Sequence, residues 1–191
     1  SGSVAILGNY DEYTPHMADG LAIRKLIFGE KSHCDVRAAD VELREGRAHF
    51  DLVTPEGREA VSLQLLGLHQ VSNALAVAAI CSSLGIALET IAAALSTAEP
   101  SSKSRMELHD SYGLLLINDA YNANPESMAA ALRTLALLAQ ERGGLSWAFL
   151  GKMNELGEAS SFEHEAIGRL VSDVGIDHLV CGGKKHFSPG G

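Results

Sequence analysis

The chain has 191 residues, of which 46% are hydrophobic, 20% charged and only 5% aromatic. That balance excludes a disordered chain and gives a core of Leu, Ala, Val and Ile, which suits helices packed on sheet better than an all-β sandwich. A formal net charge of -9 excludes a broad nucleic-acid footprint, because binding phosphate over a large area requires clustered Lys and Arg.

Cys34, Cys81 and Cys181 are far apart, odd in number and without C-x-x-C spacing, so free thiols in a reducing compartment are expected and a zinc site is not. No stretch reaches the roughly 18 apolar residues of a membrane helix, and no basic and then apolar leader opens the chain. A cytoplasmic location is the expectation.

In chain order, Ser3 to Gly8 reads as a short buried strand ending at glycine. From Val36 to Gln64 the pattern alternates in runs over 36–44, 48–54 and 60–65, broken by Glu45-Gly46-Arg47 and Pro55-Glu56-Gly57. Alternation broken by glycine turns predicts an antiparallel meander. From Val71 the period changes. Asn73 to Leu84 predicts an Ala-rich helix stopped by Gly85, and Leu88 to Ser96 a second one, together an αα-hairpin on the sheet. Ala98 to Ser104, polar and small around Pro100, reads as a linker and domain boundary.

The second half alternates strand and helix. Leu114 to Ile117 is a continuous apolar run, expected of a strand covered on both faces. Pro125 starts a helix that runs from about Glu126 to Glu141 and ends at Gly143-Gly144. Trp147 to Leu150 is a second buried strand, Glu163 to Val174 a helix, and His178 to Cys181 a third strand. This rhythm predicts a small parallel sheet with right-handed crossovers, cut short at its end.

Polar clusters mark four places where chemistry could sit. Gly67 to Ala76 opens the first helix, and the Asn73 amide can match the N6 and N7 edge of adenine, with capping by Ser72 the alternative. Arg105 could reach a phosphate through its forked donors, or be a surface charge. Asn118 to Met128 places a dense polar run at the carboxyl end of a strand, where open α/β sheets bind ligands. Asp119 there suits ribose hydroxyls; an N-cap accounts for Asn124 but not for Asp119, Tyr121 and Asn122 together. Leu150 to Glu158, with His164 beyond it, reads either as a second loop at the same sheet edge or as a plain loop with an exposed helix histidine. Gly29-Glu30-Lys31-Ser32 lacks the glycine a P-loop needs before its lysine, and Gly182-Gly183-Lys184 lacks a following helix, so no P-loop lies within the sequence.

In this order and spacing the segments resemble the Mur ligase family over nearly the whole chain. Gly67-x-His69-x-x-x-Asn73-Ala74-Leu75-Ala76 and Arg105 are general to these amide ligases. Asp119-x-Tyr121-Asn122-Ala123-Asn124-Pro125-x-Ser127-Met128 and Gly151-x-Met153-x-Glu155-Leu156-Gly157 resemble its MurF branch, which joins D-alanyl-D-alanine to UDP-N-acetylmuramoyl-tripeptide with ATP during peptidoglycan synthesis.

The resemblance implies an α/β fold in two parts. Residues 1–98 would be the later part of the central ATPase domain, a mixed sheet with its meander and αα-hairpin. Residues 99–191 would be an incomplete Rossmann-like C-terminal domain, with a hinge over Pro100 to Ser104. The P-loop, the Mg2+ ligands and the UDP-sugar domain would lie upstream, leaving the isolated chain inactive and monomeric. By the same resemblance, ATP forms an acyl phosphate on the tripeptide carboxylate and the dipeptide amine displaces phosphate. Asn73 would contact adenine, with His69 and Gln70 shaping its pocket. Arg105 would sit near the phosphates as the catalytic cation and Asp119 would hold ribose. Tyr121, Asn122 and Asn124 would line the substrate region. Four positions depart from the family pattern: Gln70 replaces the usual Asn, Ser104 the usual Gly, Asn118 a frequent Asp, and Lys152 a usual acidic residue. A sister ligase with another amino-acid substrate and a non-catalytic nucleotide-binding module are the competing readings.

Overall fold

The computed structural model describes residues 2–99 and 104–182, and the chain divides into two compact units, Ser1–Glu99 and Pro100–Gly191. Of the expected hinge, only Ser104 lies within the described residues; Gly183 and Lys184 also lie outside them.

In the first unit, β1 (Val4–Gly8), β2 (Arg24–Gly29), β3 (Val36–Arg44), β4 (Arg47–Thr54) and β5 (Gly57–Leu66) form one sheet in that spatial order. The pairs β1–β2 and β2–β3 are parallel, while β3–β4 and β4–β5 are antiparallel, as the alternating runs predict. Glu45 and Gly46 sit at φ 49° and 71°, the two-residue turn whose twist matches its flanking strands. The strand β2 has no counterpart in the sequence reading. Its apolar stretch is short, lies between charged residues and shows no period.

The alternation of β4 puts Ala48, Phe50, Leu52 and Thr54 on the buried face. Two helices, α1 (Gln70–Ser83) and α2 (Leu88–Thr97), cover that face through Val71, Leu75 and Ala78 and through Ile91, Ala92 and Leu95. The alanines let the helix backbones approach the sheet closely. Each fully buried Leu, Val or Phe contributes about 1.5–3 kcal/mol relative to exposure. Helix α1 begins at Gln70, ahead of the expected Asn73, with His69 at the cap position. Ser72 is therefore not the cap: it lies inside the first turn, and its hydroxyl donates to the His69 carbonyl at 2.8 Å. The other end closes on Gly85 at φ 78°, with the Ile86 N–H donating to the Cys81 carbonyl at 3.1 Å.

The second unit contains β6 (Glu107–Ser111), β7 (Leu114–Asn118), α3 (Pro125–Arg142), β8 (Trp147–Leu150), α4 (Ser160–Asp173) and β9 (His178–Cys181). Strands β8 and β9 pair in parallel, as expected of a crossover unit. The Asp177 carboxylate fixes the start of this pair by accepting the Ser146 N–H at 2.7 Å and its hydroxyl at 2.8 Å. These donations hold the Asp177 carboxyl below its ordinary value, the backbone one contributing most. Met128 and Leu132 of α3, Ala148 of β8, Met153, and Ile167 and Val171 of α4 make the core.

Two expectations for this unit are corrected, and one of two alternative readings falls. Among the described residues β7 is not a strand of the parallel sheet; it pairs antiparallel with β6 through the turn Tyr112-Gly113, at φ 52° and 80°. Neither β7 nor β8 is buried on both faces: Leu114, Leu116, Trp147 and Phe149 are all more than half exposed. The apolar runs carry the composition of two-sided strands, but α3 and α4 pack through Ala148 and Leu150 on one face. Finally, His164 is not an exposed helix residue but fully buried. Its Nε2 accepts the Met153 N–H at 3.0 Å, which leaves the proton on Nδ1 to donate to the Ser160 carbonyl at 2.6 Å. This neutral ring ties α4 to the loop that follows β8.

Trp147, the chain's single tryptophan, lies in the second unit and reports its unfolding. Replacing His164 with Ala leaves the Met153 amide unpaired in a cavity, and should cost about 2–4 kcal/mol, seen as a lower urea midpoint by Trp147 fluorescence. Tyr112 is fully solvent-exposed at positive φ, so Tyr112→Asn should stabilise the unit by about 0.5–1 kcal/mol, seen as a higher midpoint in the same titration, since asparagine tolerates the left-handed turn better.

Candidate functional site

In the first unit the polar cluster forms where β5 hands over to α1. Gly67, at φ 96°, turns the chain, and its N–H donates to the Gly46 carbonyl at 2.8 Å. The first helical turn then presents His69, Gln70 and Asn73 on one side as a linked set. The Gln70 amide nitrogen lies 3.0 Å from His69 Nε2, and Asn73 Nδ2 donates to Gln70 Oε1 at 3.1 Å. Gln70 therefore orients Asn73, which is exposed on a helix otherwise buried through Val71, Ala74 and Leu75. An exposed amide held by a neighbour, on an alanine-rich helix, suits a planar ligand with paired donor and acceptor atoms.

In the second unit Arg105, Asp119 and Tyr121 come together because the segment before β6 is stitched to the segment after β7. Asp119 Oδ1 accepts the Met106 N–H at 3.0 Å, and the Tyr121 N–H donates to the Ser104 carbonyl at 3.0 Å. Asn118 Nδ2 donates to Ser104 Oγ at 3.2 Å, and Glu107 Oε2 accepts the Ser104 N–H at 3.1 Å. Between these anchors Ser104 and Met106 hold φ of 57° and 48°, the left-handed region that disfavours side chains. At Ser104 the positive φ is one that glycine would adopt without strain. The guanidinium of Arg105 lies over the Tyr121 ring, 4.1 Å from its centroid.

The other predicted residues stand nearby in sequence. Asn122 Oδ1 accepts the Ala123 N–H at 2.9 Å. Asn124 is the N-cap of α3: its Oδ1 accepts the Ser127 N–H at 2.8 Å, and its own N–H donates to Ser127 Oγ at 3.2 Å. This capping box sets where α3 starts. Sequence reasoning missed Ser104 and Asn118 as structural partners of the site. The available signal was the polar pair Asn118-Asp119 directly after an apolar run. Lys152 is exposed in the loop after β8, beside buried Met153. Among the described residues, no three His, Cys, Asp or Glu side chains are grouped to hold a metal ion, and no helix is long and apolar enough to cross a membrane.

Residues 1–81 match the Mur ligase middle domain, and residues 104–189 the Mur ligase glutamate ligase domain. The UDP-N-acetylmuramoyl-tripeptide–D-alanyl-D-alanine ligase of Mycobacterium tuberculosis strain H37Rv is 41% identical over 187 residues, 96% of this chain and 36% of the relative. The Escherichia coli K12 protein of the same name is 34% identical over 154 residues, 81% of this chain and 33% of the relative. In structure, MurF from Acinetobacter baumannii superposes with a TM-score of 0.85 at 35% identity, over 94% of this chain and 38% of that one. The chain thus spans a little over a third of the length of the curated relatives it matches most of the way through. With two successive domains of one family matched in order, and MurF proteins similar to it in both sequence and structure, the chain belongs to the Mur ligase family.

Proposed function

We propose that the protein carrying this chain is a cytoplasmic ATP-dependent ligase that joins D-alanyl-D-alanine to UDP-N-acetylmuramoyl-tripeptide, and that the chain contributes nucleotide and amine contacts to it. The observation that carries the reading is the stitched segment at the end of β7. It holds the Arg105 guanidinium over the Tyr121 ring and ties the next residue, Met106, to Asp119, and both Asp119 and Tyr121 belong to the run most particular to the MurF branch. Identity of 41% to a ligase of that name supports the choice of substrates.

On this reading Asn73, oriented by Gln70 and neighbouring His69, meets the adenine edge. Asp119 accepts hydrogen bonds from ribose hydroxyls while its Oδ1 keeps the Met106 amide in place. Arg105 offsets the negative charge that builds up as the tripeptide carboxylate takes the γ-phosphoryl group, and again as the attacking amine displaces phosphate. A fixed cation is effective because it needs little reorganisation during the step. Asn122 borders the dipeptide region, and the part of Asn124 is to set the helix start there. Mg2+ would accompany ATP and offset its phosphate charge, held by ligands that the family resemblance puts upstream of this chain.

Phosphate release by the full-length protein should require both UDP-N-acetylmuramoyl-tripeptide and D-alanyl-D-alanine. Turnover with a single amino acid instead of the dipeptide would move it to a sister ligase, and no turnover with any amine would overturn the ligase reading. In that assay Arg105→Ala should lower kcat by about 100-fold, the scale of losing one preorganised charge-stabilising group. Asn73→Ala should instead raise KM for ATP by roughly 10-fold, as expected for a lost bidentate base contact, with little change in the KM for the dipeptide.

A further inference from the structure

Arg105 is exposed, and an exposed arginine on an ordinary strand end samples many rotamers. Here that freedom is curtailed from two directions. The backbone on either side of Arg105 is left-handed at two non-glycine residues, a conformation that persists only where surrounding contacts over-determine it. Those contacts are the Met106 N–H to Asp119 and the Tyr121 N–H to the Ser104 carbonyl. The second bond matters most, because it ties the backbone of Tyr121 to the residue just before Arg105. The same residue that pins the chain then supplies the ring on which the guanidinium rests at 4.1 Å.

We infer that Tyr121 is a positioning residue for Arg105, acting through the face of its ring, and not a substrate contact acting through its hydroxyl. A guanidinium held over a ring face still presents N–H donors at its edge, where an anionic oxygen can be received. This also explains an aromatic residue with 63% exposure in a chain that has few aromatics. The inference rests on the ligase reading for the purpose of the cation, but the pairing itself does not.

Two variants separate ring from hydroxyl: Tyr121→Phe keeps the face, and Tyr121→Leu removes it. In the full-length protein labelled on arginine, the Arg105 δ-methylene protons should be shifted upfield by the ring in wild type and Tyr121→Phe, and lose that shift in Tyr121→Leu. In the phosphate-release assay Tyr121→Phe should match wild type, while Tyr121→Leu should lower kcat roughly two- to five-fold, the strength of one exposed cation–π contact. The KM for D-alanyl-D-alanine should not move, and Tyr121→Leu should add nothing to Arg105→Ala. A raised dipeptide KM in Tyr121→Phe would overturn the inference in favour of a hydroxyl contact, and so would an unshifted wild-type resonance. A wild type that shows the ring shift but no turnover would sink the ligase reading and leave the pairing supported.

Discussion

A sheet with one apolar face must have that face covered, and in both units helices do this. In the first unit β4 alternates strictly, and α1 and α2 lie over its Phe50 and Leu52 side. Because the helices are rich in alanine, they can sit close to the sheet, and α1 has to begin directly where β5 ends. That demand brings Gly67 to a positive φ and puts His69, Gln70 and Asn73 at a helix start that is exposed above a buried base. The polar set is thus placed by apolar packing beneath it.

The second unit meets the same constraint with different means. Helices α3 and α4 share one core with β8, and His164 extends that core into the loop after β8 by accepting the Met153 amide. A buried imidazole with both nitrogens engaged is a satisfied polar group and so costs little where an unpaired one would cost much. It leaves that loop with a fixed backbone whatever the exposed Lys152 does.

Function, on the proposed reading, concentrates where the backbone is least comfortable. Ser104 and Met106 hold left-handed conformations without being glycine, and side chains from Asn118 and Asp119 hold them there. Such strain of order 1–3 kcal/mol per residue survives only when supported from several sides. The support here comes from a polar run that reads, in one dimension, as a binding loop. Part of that run is ligand-facing in the proposal and part is scaffold: Asn118 and Asn124 make turns and caps, and Asp119 does structural work through one oxygen.

Much of this was legible in the residues. Alternation with period two is a property of the strand itself, so the meander could be read from positions 36 to 65. Glycines at helix ends and Pro125 at a helix start mark themselves by backbone freedom and restriction. The motifs that tie the chain to its family were equally plain. Less legible was β2, too short to show a period, and the pairing of β7 with β6, because a continuous apolar run says nothing about which strand it will join. Burial was misjudged for the same reason at Leu116 and Phe149, and left open at His164: exposure depends on what packs against a residue, and that is decided by elements distant in sequence. The stacking of Arg105 on Tyr121 and the left-handed turns around it also arise only when two segments, thirteen residues apart at Met106 and Asp119, are joined by hydrogen bonds. The residues alone revealed the meander, the four helices, the strands β1, β7, β8 and β9 and the family motifs; β2, β6, the strand pairing, the covered faces and the way the cation is held came only with the folded chain, because those depend on contacts between residues that no local pattern links.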